Sequence, residues 1–199
     1  MMYEVDISDA MDWIAHTDWL GNPAEEYSVS RKETVLDFSV QEPGRGMKWS
    51  RHFEEPIDLA NMTYVIVHYR AEGIAASGDY FLYLNGNVGD STKEFYVIMP
   101  GDLEDDGRWR TAIAEIPYAS GGLRGLNWIA IQVQAKTTAA RIQVKSIAFT
   151  SEKPILSLAD ILELSYDWDQ AILSSDSFDV IDLSPYCNAN SSEKLSRMG

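Results

Sequence analysis

Apolar and polar residues alternate with a period of two along much of the chain between residues 63 and 147. This alternation is typical of β-strands that bury one face and expose the other. It covers residues 63–70, 80–85, 95–99, 129–134 and 142–147. Stretches rich in Gly, Asp and Asn separate these segments, as turns between strands require. The pattern therefore predicts an all-β fold, namely a β-sandwich with one buried core.

The first 60 residues predict further strands of the same sandwich. Residues 27–30 and 34–40 alternate as two strands, and residues 3–7 can form an opening strand. Residues 41–46, which read QEPGRG, predict a turn from their Pro and Gly content, and residues 48–53 resume extended structure. Residues 55–59 are expected to connect this segment to the strand that follows.

The alternation also predicts which side chains leave the core. If Leu82 and Leu84 are buried, then Phe81 and Tyr83 point outward, and the same reasoning applies to the neighbouring strands. The outward residues with sugar-binding chemistry are His68, Arg70, Tyr83, Asn85, Trp128, Gln132 and Gln134. Flat aromatic rings suit the apolar side of a pyranose, and amide or guanidinium groups suit its hydroxyls. Cross-strand packing and ordinary solvated surface are the alternative interpretation.

Charge narrows the choice of partner. The 199 residues include 31 acidic and 16 basic side chains, which gives a formal net charge of -15. Such a chain repels phosphate backbones and anionic lipid headgroups, so we expect no nucleic-acid or membrane partner. Neutral sugars are favoured, because an acidic polysaccharide would need a local basic patch or a bridging cation. The same charge favours a monomer.

Four segments carry a resemblance to a known family. Residues 53–59 (FEEPIDL), 64–73 (YVIVHYRAEG), 106–109 (DGRW) and 142–149 (IQVKSIAF) are similar to the galactose-binding-like β-jelly-roll domains. These domains include carbohydrate-binding modules attached to bacterial polysaccharide-degrading enzymes. The resemblance covers roughly residues 1–151. It implies a jelly roll of two antiparallel sheets that is usually non-catalytic and often binds a polysaccharide or oligosaccharide on its concave sheet or loop rim.

The resemblance also implies a structural calcium ion, the only cofactor expected here. Many such modules hold calcium between an acid near the first strand and an acid in the last strand. Glu4 and Asp6 match the first acid, whereas Lys145 and Ser146 stand where the second is expected. The turn at residues 102–107 (DLEDDG) is another oxygen-rich candidate, and a solvated turn is its alternative interpretation.

Four tryptophans that are not among the outward candidate residues lead to two further predictions. Trp13, Trp19 and Trp49 lie near loops or strand starts and form a second candidate platform at the rim, although at least one of them is expected to plug the sandwich. Trp109 follows an Asp-Gly turn and is predicted to lie in the core.

The sequence pattern after residue 151 no longer predicts strands of the same sandwich. Residues 152–177 predict a linker with a short helix, because Ser157 stands in N-cap position with an acid three residues later. Residues 178–199 resemble the first strand of a truncated second β domain, or else a C-terminal extension that packs back. The single cysteine, Cys187, excludes an internal disulfide, and residues 1–7 lack the basic and apolar regions of a signal peptide. An excised module of an exported protein would be extracellular or periplasmic.

Enzymatic interpretations find little support. His16, His52 and His68 lack metal-ligand spacing, and no nucleophile elbow, phosphate-binding loop or dinucleotide fingerprint occurs. The first hypothesis is a non-catalytic carbohydrate-binding module that tethers a multidomain carbohydrate-active protein to a polysaccharide. The second is a structural or protein-interaction sandwich that packs against neighbouring domains. The third is a small polysaccharide-active enzyme, because a pair of carboxylates leaves no sequence motif.

Overall fold

The computed structural model describes residues 2–18, 22–76, 80–88, 90–116 and 123–152. The chain divides into two compact units, Met1–Ile155 and Leu156–Gly199, and all described residues belong to the first. The predictions for Trp19 and for segments 153–177 and 178–199 lie outside the described residues. No helix in the described part is long and apolar enough to cross a membrane.

Eleven strands and two short 3-10 helices make up the described part. The strands are β1 (Met2–Glu4), β2 (Ile14–Ala15), β3 (Tyr27–Lys32), β4 (Val35–Val40), β5 (Gly46–Ile57), β6 (Tyr64–Glu72), β7 (Leu82–Val88), β8 (Ser91–Ile98), β9 (Trp109–Glu115), β10 (Arg124–Gln134) and β11 (Ala140–Thr150). The 3-10 helices are Ala10–Asp12 and Pro100–Asp102.

The strands form two antiparallel sheets, and the predicted jelly-roll β-sandwich is confirmed. One sheet has six strands in the order β3-β4-β11-β6-β9, with β1 pairing the same edge of β11 as β4. The other has five strands in the order β2-β5-β10-β7-β8. The central strands β10 and β11 come last among the described strands, so both sheets depend on long-range pairing.

The core lies between the inner faces of the two sheets. Phe38 on β4 packs against Trp49 on β5 with ring centroids 5.3 Å apart, and Trp13 contacts Phe38 edge-on at 5.2 Å. Tyr69 on β6 approaches Phe81 at 6.2 Å. These contacts join the two sheets, because in each pair the rings come from strands or segments on opposite sides of the core.

The structure corrects two expectations about side chains, for Phe81 and for the tryptophan platform at the rim, and one about the extent of a strand. Phe81 is fully buried in the main core, because it lies one residue before β7, where strand alternation no longer fixes its direction. Trp13 and Trp49 are also core residues, so they do not form a rim platform. The predicted connector at residues 55–59 begins as strand, since β5 continues to Ile57.

The turn after β6 requires a glycine. Gly73 has a φ of +71°, and a Cβ atom there would lie 2.3 Å from the carbonyl oxygen of Ala139. Its own carbonyl accepts a hydrogen bond of 3.0 Å from the backbone N–H of Lys136. A side chain would therefore force apart the segments that end β6 and begin β11.

Candidate functional site

The predicted binding residues lie on the outer faces of two different sheets. Five belong to the five-stranded sheet, where β7 carries Tyr83 and Asn85 and β10 carries Trp128, Gln132 and Gln134. His68 and Arg70 lie on β6 in the six-stranded sheet. The seven outward residues therefore do not form one site, because alternation gives the direction of a side chain relative to its own sheet but not which sheet the strand joins.

Four aromatic side chains form a continuous cluster on the outer face of the five-stranded sheet, which we call the aromatic platform: Tyr80, Tyr83, Tyr96 and Trp128. Tyr83 lies 5.0 Å from Trp128, 5.3 Å from Tyr96 and 5.1 Å from Tyr80, measured between ring centroids. Tyr80 and Tyr96 are stacked at 5.2 Å. The neighbouring Ala130, which pairs with Tyr83 across β10 and β7, is small enough to leave room for these rings.

The members of the platform differ in exposure and therefore in what they can do. Tyr96 is 58% exposed and Trp128 is half-buried, so both can offer ring surface to a ligand. Tyr80 and Tyr83 are 5% and 4% exposed and lie against them. The prediction that Tyr83 offers a binding surface therefore needs correction: its ring faces outward but is covered by its neighbours.

The hydroxyl of Tyr83 anchors the platform to the edge strand β8. It donates a hydrogen bond to Glu94, and burial followed by this carboxylate raises the pKa of Tyr83 above its ordinary value. Tyr83 therefore stays protonated and acts as a hydrogen-bond donor at any physiological pH. Glu94 is exposed, so its remaining oxygen can accept a bond from a ligand hydroxyl.

Two histidines lie next to Trp128. His52 is on β5, on one side of β10, whereas Tyr83 is on β7, on the other side. His52 stacks on the indole at 5.6 Å, and His16 lies parallel to it at 6.5 Å. Both imidazoles contact one fully buried hydroxyl, since His16 Nε2 is 2.6 Å and His52 Nε2 is 3.2 Å from Ser50 Oγ. Burial and then the charge of Lys48 lower the pKa of His16, so this imidazole is neutral at neutral pH.

Buried polar groups are concentrated on this outer face. In the described part of the chain, Ser50, Asn85 and Gln132 are three of the four polar residues that are buried. Asn85 Oδ1 accepts a hydrogen bond of 3.3 Å from Asn127 Nδ2. Gln132 is only 2% exposed, and neither its amide nitrogen nor its amide oxygen has a partner among the described residues. An unpaired buried amide lowers stability, because it has lost its hydrogen bonds to water without gaining others. A ligand that reached Gln132 could supply the missing hydrogen bonds.

Gln134 and Lys48 mark the far end of the same face. Gln134 is half-buried and pairs with Gly46 at the end of β10. Lys48 pairs with Gln132 and places its Nζ atom 5.8 Å from the centroid of the Trp128 ring. Lys48 therefore brings a cation beside both the indole and the unpaired amide.

Sequence reasoning missed several members of this face. Tyr80 and Tyr96 belong to stretches whose alternation was recognised, but neither was carried into the candidate set. The spacing of His16 and His52 argued against a metal site and favoured surface or cleft positions, but neither was placed in the candidate set. Their shared contact with Ser50 depends on the pairing of β2 with β5, and β2 has only two residues, too few to show any periodicity.

The predicted calcium ligands make contacts with protein groups. Asp106 pairs with Arg110, Asp105 accepts a bond from the Ile74 N–H, and Asp102 accepts one from the Met99 N–H. Within the described ranges no group of three or more His, Cys, Asp or Glu side chains is arranged to hold a metal ion.

Trp109 lies on the outer face of the six-stranded sheet, and its prediction as a core residue was wrong. It is half-buried and pairs with Arg70 across β9 and β6. His68 meets its ring edge-on at 5.3 Å. The alternation within β9 explains this position, because Ala112 and Ala114 take the core positions of that strand.

Comparison with known proteins gives matches for the fold alone. No protein-family model and no curated protein sequence matches the chain. The family 11 carbohydrate-binding module of a cellulosomal cellulase of Clostridium thermocellum has a TM-score of 0.47 at 10% identity, over 79% of this chain and 98% of that one. The CBM27-1 module of Caldicellulosiruptor saccharolyticus, complexed with mannohexaose, gives 0.46 at 13% identity, over 77% and 99%. A family 29 module complexed with cellulohexaose gives 0.45 at 12% identity, over 76% and 91%.

These matched proteins are carbohydrate-binding modules with jelly-roll folds, as the sequence resemblance led us to expect for the architecture. Their identity to this chain is too low to transfer a ligand or a binding residue. What the chain can bind must be argued from its own side chains.

Proposed function

We propose that this protein is a non-catalytic carbohydrate-binding module that binds a neutral polysaccharide or oligosaccharide on the aromatic platform. The observation that carries the proposal is the position of two accessible rings, the exposed Tyr96 and the half-buried Trp128, on a face that also holds the buried amide of Gln132, which has no partner among the described residues. Such modules serve as accessory domains, so we further propose that the chain tethers a larger carbohydrate-active protein to its polymer.

The platform combines the two kinds of contact that a pyranose needs. The rings of Tyr96 and Trp128 can stack on the apolar C–H side of sugar residues. The exposed carboxylate of Glu94 can accept hydrogen bonds from sugar hydroxyls, and the amide of Gln132 can donate to and accept from them once a ligand displaces the side chains that cover it. Tyr80 packs against Tyr96 and Tyr83 packs against Trp128. Because these contacts restrict the rings of Tyr96 and Trp128, they lose little side-chain entropy on binding.

Individual contacts of this type are weak, so affinity for a short oligosaccharide should be modest. A polymer that engages several modules or a neighbouring domain would be held more tightly through effective concentration. This arrangement suits a tether, because a module must release one part of the polymer before it can hold the next.

The test is a binding screen of the chain against neutral β-glucan, mannan and xylan oligosaccharides by isothermal titration calorimetry, with product analysis in parallel. We expect binding without turnover, and loss of binding in both Trp128→Ala and Tyr96→Ala. Trp109→Ala is the matched control, because it removes a half-buried aromatic ring from the opposite sheet. Binding that survives both platform variants would contradict the proposal, and release of products would show an enzyme instead.

A protein-docking role is the second candidate, and one observation favours it. Ile14 is 61% exposed on the same outer face, where it pairs with Ser50 at the β2 edge, so an apolar surface is present there besides the rings. If this face docks a protein, the chain should bind no glycan, and the Ile14→Asp variant should no longer bind the protein partner.

A further inference from the structure

The outer face of the six-stranded sheet carries a row of side chains that the proposed function does not use. In direct register, Ser30 on β3 faces Asp37 on β4, which faces Gln143 on β11, then Arg70 on β6 and Trp109 on β9. Neighbouring strands lie about 4.8 Å apart, so the row extends for roughly 19 Å. It runs from hydroxyl through charged and amide groups to an aromatic ring.

A depression with a volume of about 470 Å³ lies at the hydroxyl end of this row, where Ser30 and Asp37 line it. This volume is within the usual range for a small-ligand site. Its floor is fixed by internal bonds: Arg141 makes a bidentate pair with the buried carboxylate of Asp37, and the hydroxyls of Ser28 and Ser39 are 2.9 Å apart. The polar groups are therefore already held in place before any ligand arrives.

A lysine at a β-bulge lies at the aromatic end of the row. The pairing of β11 with β6 shifts register between Val144 and Ser146. As a result Val144 and Ile147 are both buried although they are three residues apart, and Lys145 is left exposed. Its Nζ atom lies 5.9 Å from the centroid of Trp109. Period-two alternation from Arg141 and Gln143 already places Lys145 on this outer face, and the bulge shifts the alternation only after it.

The local charge is opposite in sign to that of the whole chain. Row and depression together hold three cations, Lys32, Arg70 and Arg141, against two carboxylates, Asp37 and Glu72, and Lys145 beside Trp109 adds a fourth cation. The local formal charge is thus +2, in a chain whose formal net charge is -15.

Arg70 connects the two parts of this surface. Its Nη2 atom lies 3.2 Å from Glu72, which lines the depression, and its own register partner is Trp109. The Nε atom of Arg70 is buried and has no acceptor among the described residues. A ligand anion placed between Arg70 and Lys145 would therefore meet two cationic side chains beside one ring.

We propose that this face is a second glycan site, and that it takes an acidic oligosaccharide built from uronic acids. Lys145 and Arg70 bind the sugar carboxylate, Trp109 packs against the apolar side of the ring, and the serines with Gln143 hydrogen-bond to hydroxyls. The proposal does not depend on the platform, because the two sites lie on opposite sheets and share no residue.

The test follows the tryptophan indole N–H signals of the ¹⁵N-labelled full chain by NMR. The probe is oligogalacturonate, and its fully methyl-esterified form is the matched neutral control. We expect the acid to shift the Trp109 signal and not that of Trp128, and to bind more weakly as salt is raised. The ester should bind at least about tenfold more weakly, because a charge-assisted hydrogen bond is lost.

Two variants on this face and one on the other complete the design. Lys145→Gln changes an exposed side chain and leaves the fold intact, and it should weaken binding of the acid about tenfold. Trp109→Ala should do the same, whereas Tyr96→Ala should leave acid binding unchanged. Oligomannuronate and a glucuronate-containing oligosaccharide extend the panel.

Three results would overturn the proposal: equal binding of acid and ester, shifts confined to Trp128, or no binding of any of the three uronates to the folded chain. A neutral glycan that shifts Trp128 while the uronates fail would leave the proposed function standing and remove only the second site. The reverse pattern would remove the platform and keep this site.

Discussion

Replacing Gln132 with methionine should stabilise the protein and weaken its binding of sugar at the same time. Methionine has nearly the volume of glutamine but carries no amide to leave unpaired. Because the Gln132 amide is 2% exposed and lacks a partner among the described residues, its removal should raise the free energy of unfolding by about 1 kcal/mol. For a chain of this size that corresponds to a rise of roughly 2–4 °C in Tm.

The binding effect of Gln132→Met has the opposite sign. If the amide donates to and accepts from sugar hydroxyls, its loss should lower affinity roughly three- to tenfold, which is the value of one ordinary hydrogen bond. Trp128 and the other platform rings are unchanged by the substitution, so the stacking contribution should persist. Residual binding is therefore expected rather than complete loss.

Urea unfolding followed by far-UV circular dichroism measures the first effect, and isothermal titration calorimetry with the best neutral oligosaccharide measures the second. Gln134→Met is the control, because Gln134 is a half-buried glutamine on the same strand and face, and it should change stability by less than about 0.5 kcal/mol. A drop in stability for Gln132→Met would refute the view that its amide is unpaired. Unchanged affinity would refute its role in binding.

Three further predictions concern the sandwich itself. Arg141→Gln should cost about 1–3 kcal/mol, because it strands the buried carboxylate of Asp37, and adding Asp37→Asn should recover most of that loss in a double-mutant cycle measured by urea unfolding. Because the pKa of His16 is lowered from its ordinary 6.5, its contribution to stability is complete above pH 6.5 and is lost as the pH falls through the folded-state value. His16→Gln should therefore flatten the stability profile between about pH 7 and pH 5, and an unchanged profile would contradict the cause assigned to the shift. Gly73→Ala should destabilise by at least about 2 kcal/mol, since its Cβ would overlap the Ala139 carbonyl, and a Tm equal to wild type would show that the turn can relax.

The periodicity of the sequence was sufficient to predict the architecture and much of the burial. Val65 and Val67 face the core and His68 faces away, as alternation along one strand requires. This success has a local cause, since the direction of a side chain depends on its own strand and on which face is apolar. It fails where the strand begins, as at Phe81.

Membership of a sheet was the part that local pattern could not supply. The amino-acid alternation of β6 and β10 looks alike, yet β6 pairs with β11 and β10 pairs with β5, which places His68 and Trp128 on opposite faces of the protein. Strand partners are chosen by long-range packing of the whole core, and one sequence carries no direct record of that choice.

The sequence by itself determined the class of fold, the period of each strand and the acidic charge, because all three follow from residue type and spacing. Only the tertiary structure decided that Tyr83 is covered while Tyr96 is open, that Gln132 is buried without a partner among the described residues, and that Lys145 on β11 meets Trp109 on β9 across the intervening β6. Each of these facts depends on neighbours that are distant in the chain, and the three-dimensional packing of the two sheets is what brings them together.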